Sequence, residues 1–339
     1  MIFKRNNSTA TVSDKPDKPL WLRIAAYSAS VLLVFMIGLA WYWSRMPDIF
    51  WVNEKADGER VVVGYATSDT LIRVASNMLD KPGGYLSNDV MPPGVFLDNI
   101  PNWEVGVLQQ VRDLARVMRN DYSRSQSQSS EDEDLADAEP RFFIDHKSWV
   151  FPRAEAEYRA AINGFASYRD RLSGIGKSEA QFFARADNLR EWLSQVEKRL
   201  GSITRRLGNS VATSVVNTDL AGDRAAVANT IQRDRVDVKT SWFEIDDIFF
   251  EARGTSWALV HFFRAAQFDF SKVLADKNAE ASVRQIIREL EAGLGPLRSP
   301  MVMNGGGFGL FANHSLVMAN YLARANAGVI NLRELLDQG

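Results

Sequence analysis

Residues 182–207 read FFARADNLREWLSQVEKRLGSITRRL, with apolar side chains at Phe182, Ala186, Leu189, Leu193, Val196, Leu200, Ile203 and Leu207. The steps alternate between four and three residues without a break. That is an apolar seam of period 3.5, which forms when long helices pack at a shallow angle. Ser178-Glu179-Ala180-Gln181, just upstream, has the form of a capping box and predicts the helix start there. The same spacing recurs at Tyr158, Ala161, Phe165, Tyr168 and Leu172, and at Met318, Leu322, Ala325, Val329, Leu332 and Leu336. Leu108, Val111, Ala115 and Met118 carry a shorter version, and Val283, Ile286, Ile287 and Leu290 mark an amphipathic helix within 278–294.

Residues 242–268 differ, because their apolar side chains go round the whole helix. Phe243, Ile245, Ile248, Phe249, Phe250, Trp257, Leu259, Val260, Phe262 and Phe263 leave little polar face. Such a helix is buried in a core or crosses a membrane. Glu244, Asp246, Asp247, Glu251, Arg253 and His261 exclude crossing, so it belongs at the centre of a bundle. No convincing run of alternating strands occurs. The fold expected is all-α, a long-helix bundle of about six to eight helices at usual helix lengths. An intramolecular bundle explains the seams better than a dimeric coiled coil, and a homo-oligomer stays open.

Working outward to the N-terminus, residues 24–43 contain no charge over 20 positions. A helix of that length covers a hydrocarbon core of about 30 Å. Trp21 and Tyr27 stand at one end, and Trp41, Tyr42 and Trp43 at the other, as an interfacial aromatic belt requires. The run is too long for the apolar region of a cleaved signal peptide and ends in Trp-Tyr-Trp-Ser-Arg, so an uncleaved signal anchor is expected. Lys4, Arg5, Lys15, Lys18 and Arg23 precede it, whereas Arg45 is followed mainly by acidic residues, which places the N-terminus in the cytoplasm. The organisation expected is a disordered cytoplasmic tail at 1–19, a transmembrane anchor at 20–44 and a periplasmic helical domain at 45–339. Within that domain, residues 123–139 hold Ser-Gln repeats and the acidic run Glu131-Asp132-Glu133-Asp134, and read as a flexible solvated linker.

Composition narrows the function classes. A formal net charge of -2 gives no electrostatic footprint for nucleic acid. The absence of Cys excludes thiol catalysis, disulfides and thiolate metal centres. With 3 His and no Gly-x-Ser-x-Gly elbow, no catalytic triad can be assigned. No His-Glu-x-x-His and no other metal-ligating or cofactor motif occurs, so neither a metal nor a cofactor is expected.

Three groups of residues remain as candidate sites. Asn304, Gly305, Gly306 and Gly307 lead toward Asn313 and His314 at the start of the last helix. Glycines before a helix N-terminus can cradle an anion, although the dinucleotide and Walker patterns are both broken here. The simpler reading is a tight loop, with Asn313 fixing helix register. Glu244, Asp247 and Glu251 share a face of the central helix and could serve acid–base chemistry on a glycan, or pair with arginines. The turn-rich segment 81–101 combines Tyr85, Phe96, Asp98 and Trp103 in or beside a loop suited to a partner, unless it folds back over the bundle end.

Several segments resemble one bacterial family. They are Gly83-Gly84-Tyr85-Leu86-Ser87-Asn88-Asp89, Pro92-Pro93-Gly94-Val95-Phe96-Leu97-Asp98-Asn99, Trp103-Glu104, Ala184-Arg185-Ala186-Asp187-Asn188-Leu189, Ile245 through Gly254, Asn304 through Gly309, and Ala312 through Tyr321. The chain resembles the DUF2333 family of uncharacterised inner-membrane proteins from the span to the C-terminus. The resemblance implies a single-pass envelope protein and supplies no activity, cofactor or catalytic residue. The expectation is a binding or scaffold module whose partners are the lipid bilayer and an envelope protein or a second copy. A periplasmic hydrolase or lyase acting on peptidoglycan or lipid is the alternative, and small-ligand sensing at the glycine-rich loop is a weaker third.

Overall fold

The seam of residues 182–207 finds its partner inside the chain. In the computed structural model, helix α6 (Ala186–Gly208) and helix α10 (His314–Asp337) form the most extensive helix–helix contact among the described residues. Leu189, Leu193, Val196, Leu200, Ile203 and Leu207 are buried on one side, and Met318, Leu322, Ala325, Val329, Leu332 and Leu336 on the other. The structure describes residues 19–52, 62–126, 129–175, 179–211, 213–216, 235–297, 302–303 and 312–338.

Helix α7 (Ile245–Asp269) is the hub expected of an all-round apolar helix. It packs on α3 (Asn99–Val117), α9 (Glu280–Gly293), α2 (Tyr65–Asp80), α6 and α10. Helices α4 (Glu133–Arg141) and α5 (Ala154–Leu172) pair with each other, and α5 also lies against α2. Short α8 (Ser271–Asp276) turns the chain between α7 and α9. Helix α1 (Leu20–Trp43) buries none of its residues and meets the bundle at its last residue, Trp43, beside Gly83. Nine helices follow it among the described residues, more than expected because α4 and α8 are too short to show a period. The architecture is the all-α bundle that the periodicity predicts, with the one N-terminal apolar helix that the uncharged run predicts.

Four details correct the sequence reading. Residues 123–139 are not a flexible linker through their length: residues 133–139 begin α4. Asp132 caps that helix through Asp134 N and Leu135 N, and Leu135, Ala138 and Glu139 are buried. Its acidic residues meet arginines from elsewhere, Arg171 to Asp132 at 2.6 Å and to Asp134 at 2.7 Å, and Arg119 to Glu131 at 2.7 Å.

The capping-box start fails as well, since α6 begins at Ala186. Tertiary bonds hold the extended approach: Phe183 N donates to Tyr122 O at 2.7 Å, and Tyr168 Oη donates to Gln181 O at 2.6 Å. Trp242 and Phe243 are not core; they lie in a 3-10 turn before α7 and are exposed. Finally, β1 (Thr213–Val216) and β2 (Arg235–Val238) form an antiparallel two-stranded ribbon beyond α6, with four-residue strands too short for alternation to reveal.

Candidate functional site

Helices α3 and α7 run parallel and cross closely. Gly254 lies under Trp103, where an added Cβ would be 2.0 Å from Trp103 O, and at Gly106 it would be 2.1 Å from Glu251 O. This crossing sets the two N-termini side by side, and residues 81–98 cover that end of the bundle. Glu104 on α3 organises the covering segment. Its carboxylate accepts from Leu86 N at 2.9 Å, Ser87 N at 2.8 Å and Ser87 Oγ at 2.5 Å, and pairs with Lys81 Nζ at 2.5 Å. Both side chains are fully enclosed. Burial pushes the Glu104 carboxyl above its ordinary range, against the pull of Lys81 and these donors.

The segment therefore divides between the two readings open to it. Tyr85 is folded back, edge-on to Tyr158 at 5.7 Å and donating to His146 O at 3.2 Å. Trp103 is core, 5.2 Å from Trp257. Asp98 is exposed and accepts from Asn99 N at 2.8 Å at the start of α3. Phe96 is 77% exposed, with Val90, Met91 and Val95 open around it.

The acidic residues meet this segment rather than forming a site of their own. Asn102 Nδ2 bridges Asp98 O at 3.0 Å and Asp247 Oδ1 at 2.7 Å. Asp247 is raised to about 6, first by burial and then by the charges of Asp246, Asp98, Glu244 and Glu251. Glu251 is clasped by Arg206 of α6 through both oxygens, at 2.7 and 2.5 Å. Glu244 lies in the turn before α7 and is exposed. Among the described residues, no three His, Cys, Asp or Glu side chains converge as a metal site would require.

At the last candidate, Asn304, Gly305, Gly306 and Gly307 lie outside the described residues. The chain on either side of them is joined: His314 N donates to Met303 O at 3.1 Å, and Met303 N donates to His314 Nδ1 at 3.0 Å. Asn313 caps α10 by accepting from Leu316 N at 3.0 Å. Both residues thus have local backbone work, and the bond recorded for Asn313 is a helix cap within α10. Phe249, 6.3 Å from the His314 ring, ties this corner to α7.

Local sequence carries no signal for the role of Arg253. It is buried at the end of α9, where its guanidinium donates to Gly293 O at 3.2 Å, Gly295 O at 3.1 Å and Leu294 O at 3.1 Å. It satisfies terminal carbonyls of that helix, which no spacing rule anticipates. Residues 44–52 were missed too. They run from α1 along α7 as a strap: Trp257 Nε1 donates to Asp48 O at 3.3 Å, Phe50 N donates to His261 Nε2 at 3.1 Å, and the Phe50 ring stacks on His261 at 3.9 Å.

All the described candidates thus gather at one end of the bundle, the end from which α1 departs. Residues 16–339 match the family described as "Uncharacterized protein conserved in bacteria (DUF2333)". The chain belongs to this family. No curated protein and no solved structure matches it. The DUF2333 assignment agrees with the motifs at the bundle end and is bacterial, and it names no activity. What this site offers chemically is one half-buried carboxyl, Asp247, able to exchange a proton near neutral pH, amid groups committed to helix ends and ion pairs.

Proposed function

We propose that this DUF2333 protein is a single-pass inner-membrane protein whose helical domain, residues 45–339, is periplasmic and acts as a binding or scaffold module of the cell envelope. The observation that carries the reading is α1. It has 24 residues, about 36 Å at 1.5 Å per residue, and none of its residues is buried; it meets the bundle at its last residue, Trp43, beside Gly83. A soluble core helix of that composition would be buried. The basic residues Lys4, Arg5, Lys15, Lys18 and Arg23 before it support a cytoplasmic N-terminus. The partner is an envelope protein or a second copy of the chain.

The bundle favours binding over hydrolysis. Glycoside hydrolysis uses two carboxyls that flank the bond, one as acid and one as base or nucleophile. Glu251 is held by Arg206 in a two-point fork, which leaves Asp247 without that partner on its face. A topology reporter fused after Arg45, and separately after Gly339, tests the placement; periplasmic readout from both is expected, and cytoplasmic readout from both overturns it. In-cell cross-linking of the full chain then tests the binding role. Reproducible recovery of an envelope protein or a second copy is expected, and recovery no greater than from an α1-only control counts against it.

A further inference from the structure

The exposed aromatic residues of the bundle are concentrated around the exit of α1. Trp43, the last residue of that helix, packs on residues 81–98 so closely that a Cβ on Gly83 would lie 2.7 Å from its ring. Two other segments are fastened to the same loop. Asn88 Nδ2 donates to Ser148 O at 2.9 Å and Tyr85 Oη to His146 O, which holds the turn carrying Trp149, Val150 and Phe151. Asp98 and Asn99 share a small cavity with Trp242 and Phe243. Phe151 is 93% exposed, Phe243 84% and Phe96 77%, and Trp149, Trp242 and Met91 are also open. Away from that exit, Trp51 beside Arg73 and Arg264 is 85% exposed, and at the far end Val63, Ile175 and Phe268 are exposed, each on a different segment.

Depth decides what covers this face. Trp41, Tyr42 and Trp43 form the aromatic belt of α1, and such belts sit at the headgroup level. Gly83 touches Trp43, so the start of the segment 81–98 sits beside that belt. The strap prevents the bundle from swinging away. Arg73 donates to Trp51 O at 2.6 Å and stacks on the Phe50 ring at 4.1 Å, and Phe50 itself is bonded to His261. Trp and Phe tips are the side chains that enter the boundary between headgroups and acyl chains. Charges around them are mixed, with Lys147 and Arg153 against Asp145, Asp98, Glu244 and Asp246, so attraction to anionic lipid is not the driving term.

We propose that this end of the bundle is a lipid-contacting face. Phe96, Phe151, Phe243, Trp149 and Trp242 insert into the interface of the bilayer that α1 spans, and hold the domain flat against it. The proposal rests on α1 being a membrane anchor. It goes beyond that reading, because an anchored domain could equally stand clear of the surface on its tether.

The absence of Cys makes the test direct. Phe96→Cys, Phe151→Cys and Phe243→Cys are each introduced into the full chain, labelled with an environment-sensitive fluorophore and reconstituted in vesicles of phosphatidylcholine with a quencher-bearing lipid. Ile175→Cys at the far end and Phe35→Cys within α1 are the references. All four bundle positions are exposed, so these substitutions leave the fold intact. The labels at 96, 151 and 243 are expected to be quenched from within the bilayer at a depth of about 5–10 Å, with that at 175 unaffected, and with no dependence on added salt. Quenching at 35 alone overturns the lipid face while leaving the anchor standing. Labels at 96, 151 and 243 that escape both the lipid quencher and an aqueous one assign the face to protein and also overturn it. No quenching at 35 removes the anchor, and the proposal with it.

Discussion

His261 shows how a side chain inside α7 governs a segment outside it. Its ring is buried, with Nδ1 at 2.6 Å from Trp257 O and Nε2 accepting from Phe50 N. An amide donor at Nε2 requires a lone pair there, so the fold demands the neutral tautomer protonated at Nδ1. Burial, then the charges of Arg264 and Arg73, lowers its pKa from 6.5 to about 4, although the Trp257 carbonyl pulls the other way. The folded state thus binds fewer protons than the unfolded state between these values. The stability tied to the neutral ring is complete above pH 6.5 and is lost as pH falls toward about 4. Over that window the linkage amounts to roughly 3 kcal/mol. In denaturant titrations of the full chain in detergent, wild type should lose about 2–3 kcal/mol more than His261→Gln between pH 7 and pH 4.5. Parallel pH curves for the two proteins would sink the account.

At the scale of elements, α3 and α7 touch backbone to backbone, and the glycines are the reason. Alanine at 254 would gain about 1 kcal/mol of helix propensity on an isolated helix. Here its Cβ would meet Trp103 O and Trp103 C, main-chain atoms that cannot rotate away. Overpacking wins, and Gly254→Ala is expected to lower stability by about 1–3 kcal/mol, read as a shifted denaturation midpoint with unchanged slope. A stabilised variant would show that the helices are free to separate. Elements whose buried face is written along the chain were legible in the sequence: α5, α6 and α10 follow their period, and α7 is apolar all round. Elements held by distant partners were not. The acidic residues before and within α4 look solvated until Arg171 and Arg119 are placed beside them, and Glu179 to Arg185 look helical until Tyr122 and Tyr168 take up their backbone groups. The same holds for the site. Asp98 and Asp247 were each visible as candidates, but their meeting through Asn102 depends on the angle at which α3 crosses α7.

At the scale of the whole molecule, a folded bundle is joined to a helix that it meets at the last residue, Trp43, through a strap that packs along it. This arrangement bears on whether α1 is kept or removed. The strap is part of the folded domain, with Met46 and Phe50 packed against the core and Trp51 O bonded to Arg73. Signal peptide removal needs small residues in an accessible, extended stretch. At the junction of helix and strap stand Trp41-Tyr42-Trp43-Ser44-Arg45, and Trp43 is wedged against Gly83. Removal of α1 would also leave Phe96, Phe151 and Phe243 facing water at one end, an apolar patch that soluble domains avoid. Both considerations predict that the mature protein retains α1. The chain should remain with the membrane after alkaline extraction, and peptides from residues 20–43 should be found in the mature protein. A soluble product whose mass begins near Ser44 would mean that the helix is a cleaved signal and that the aromatic end of the bundle meets something other than its own bilayer.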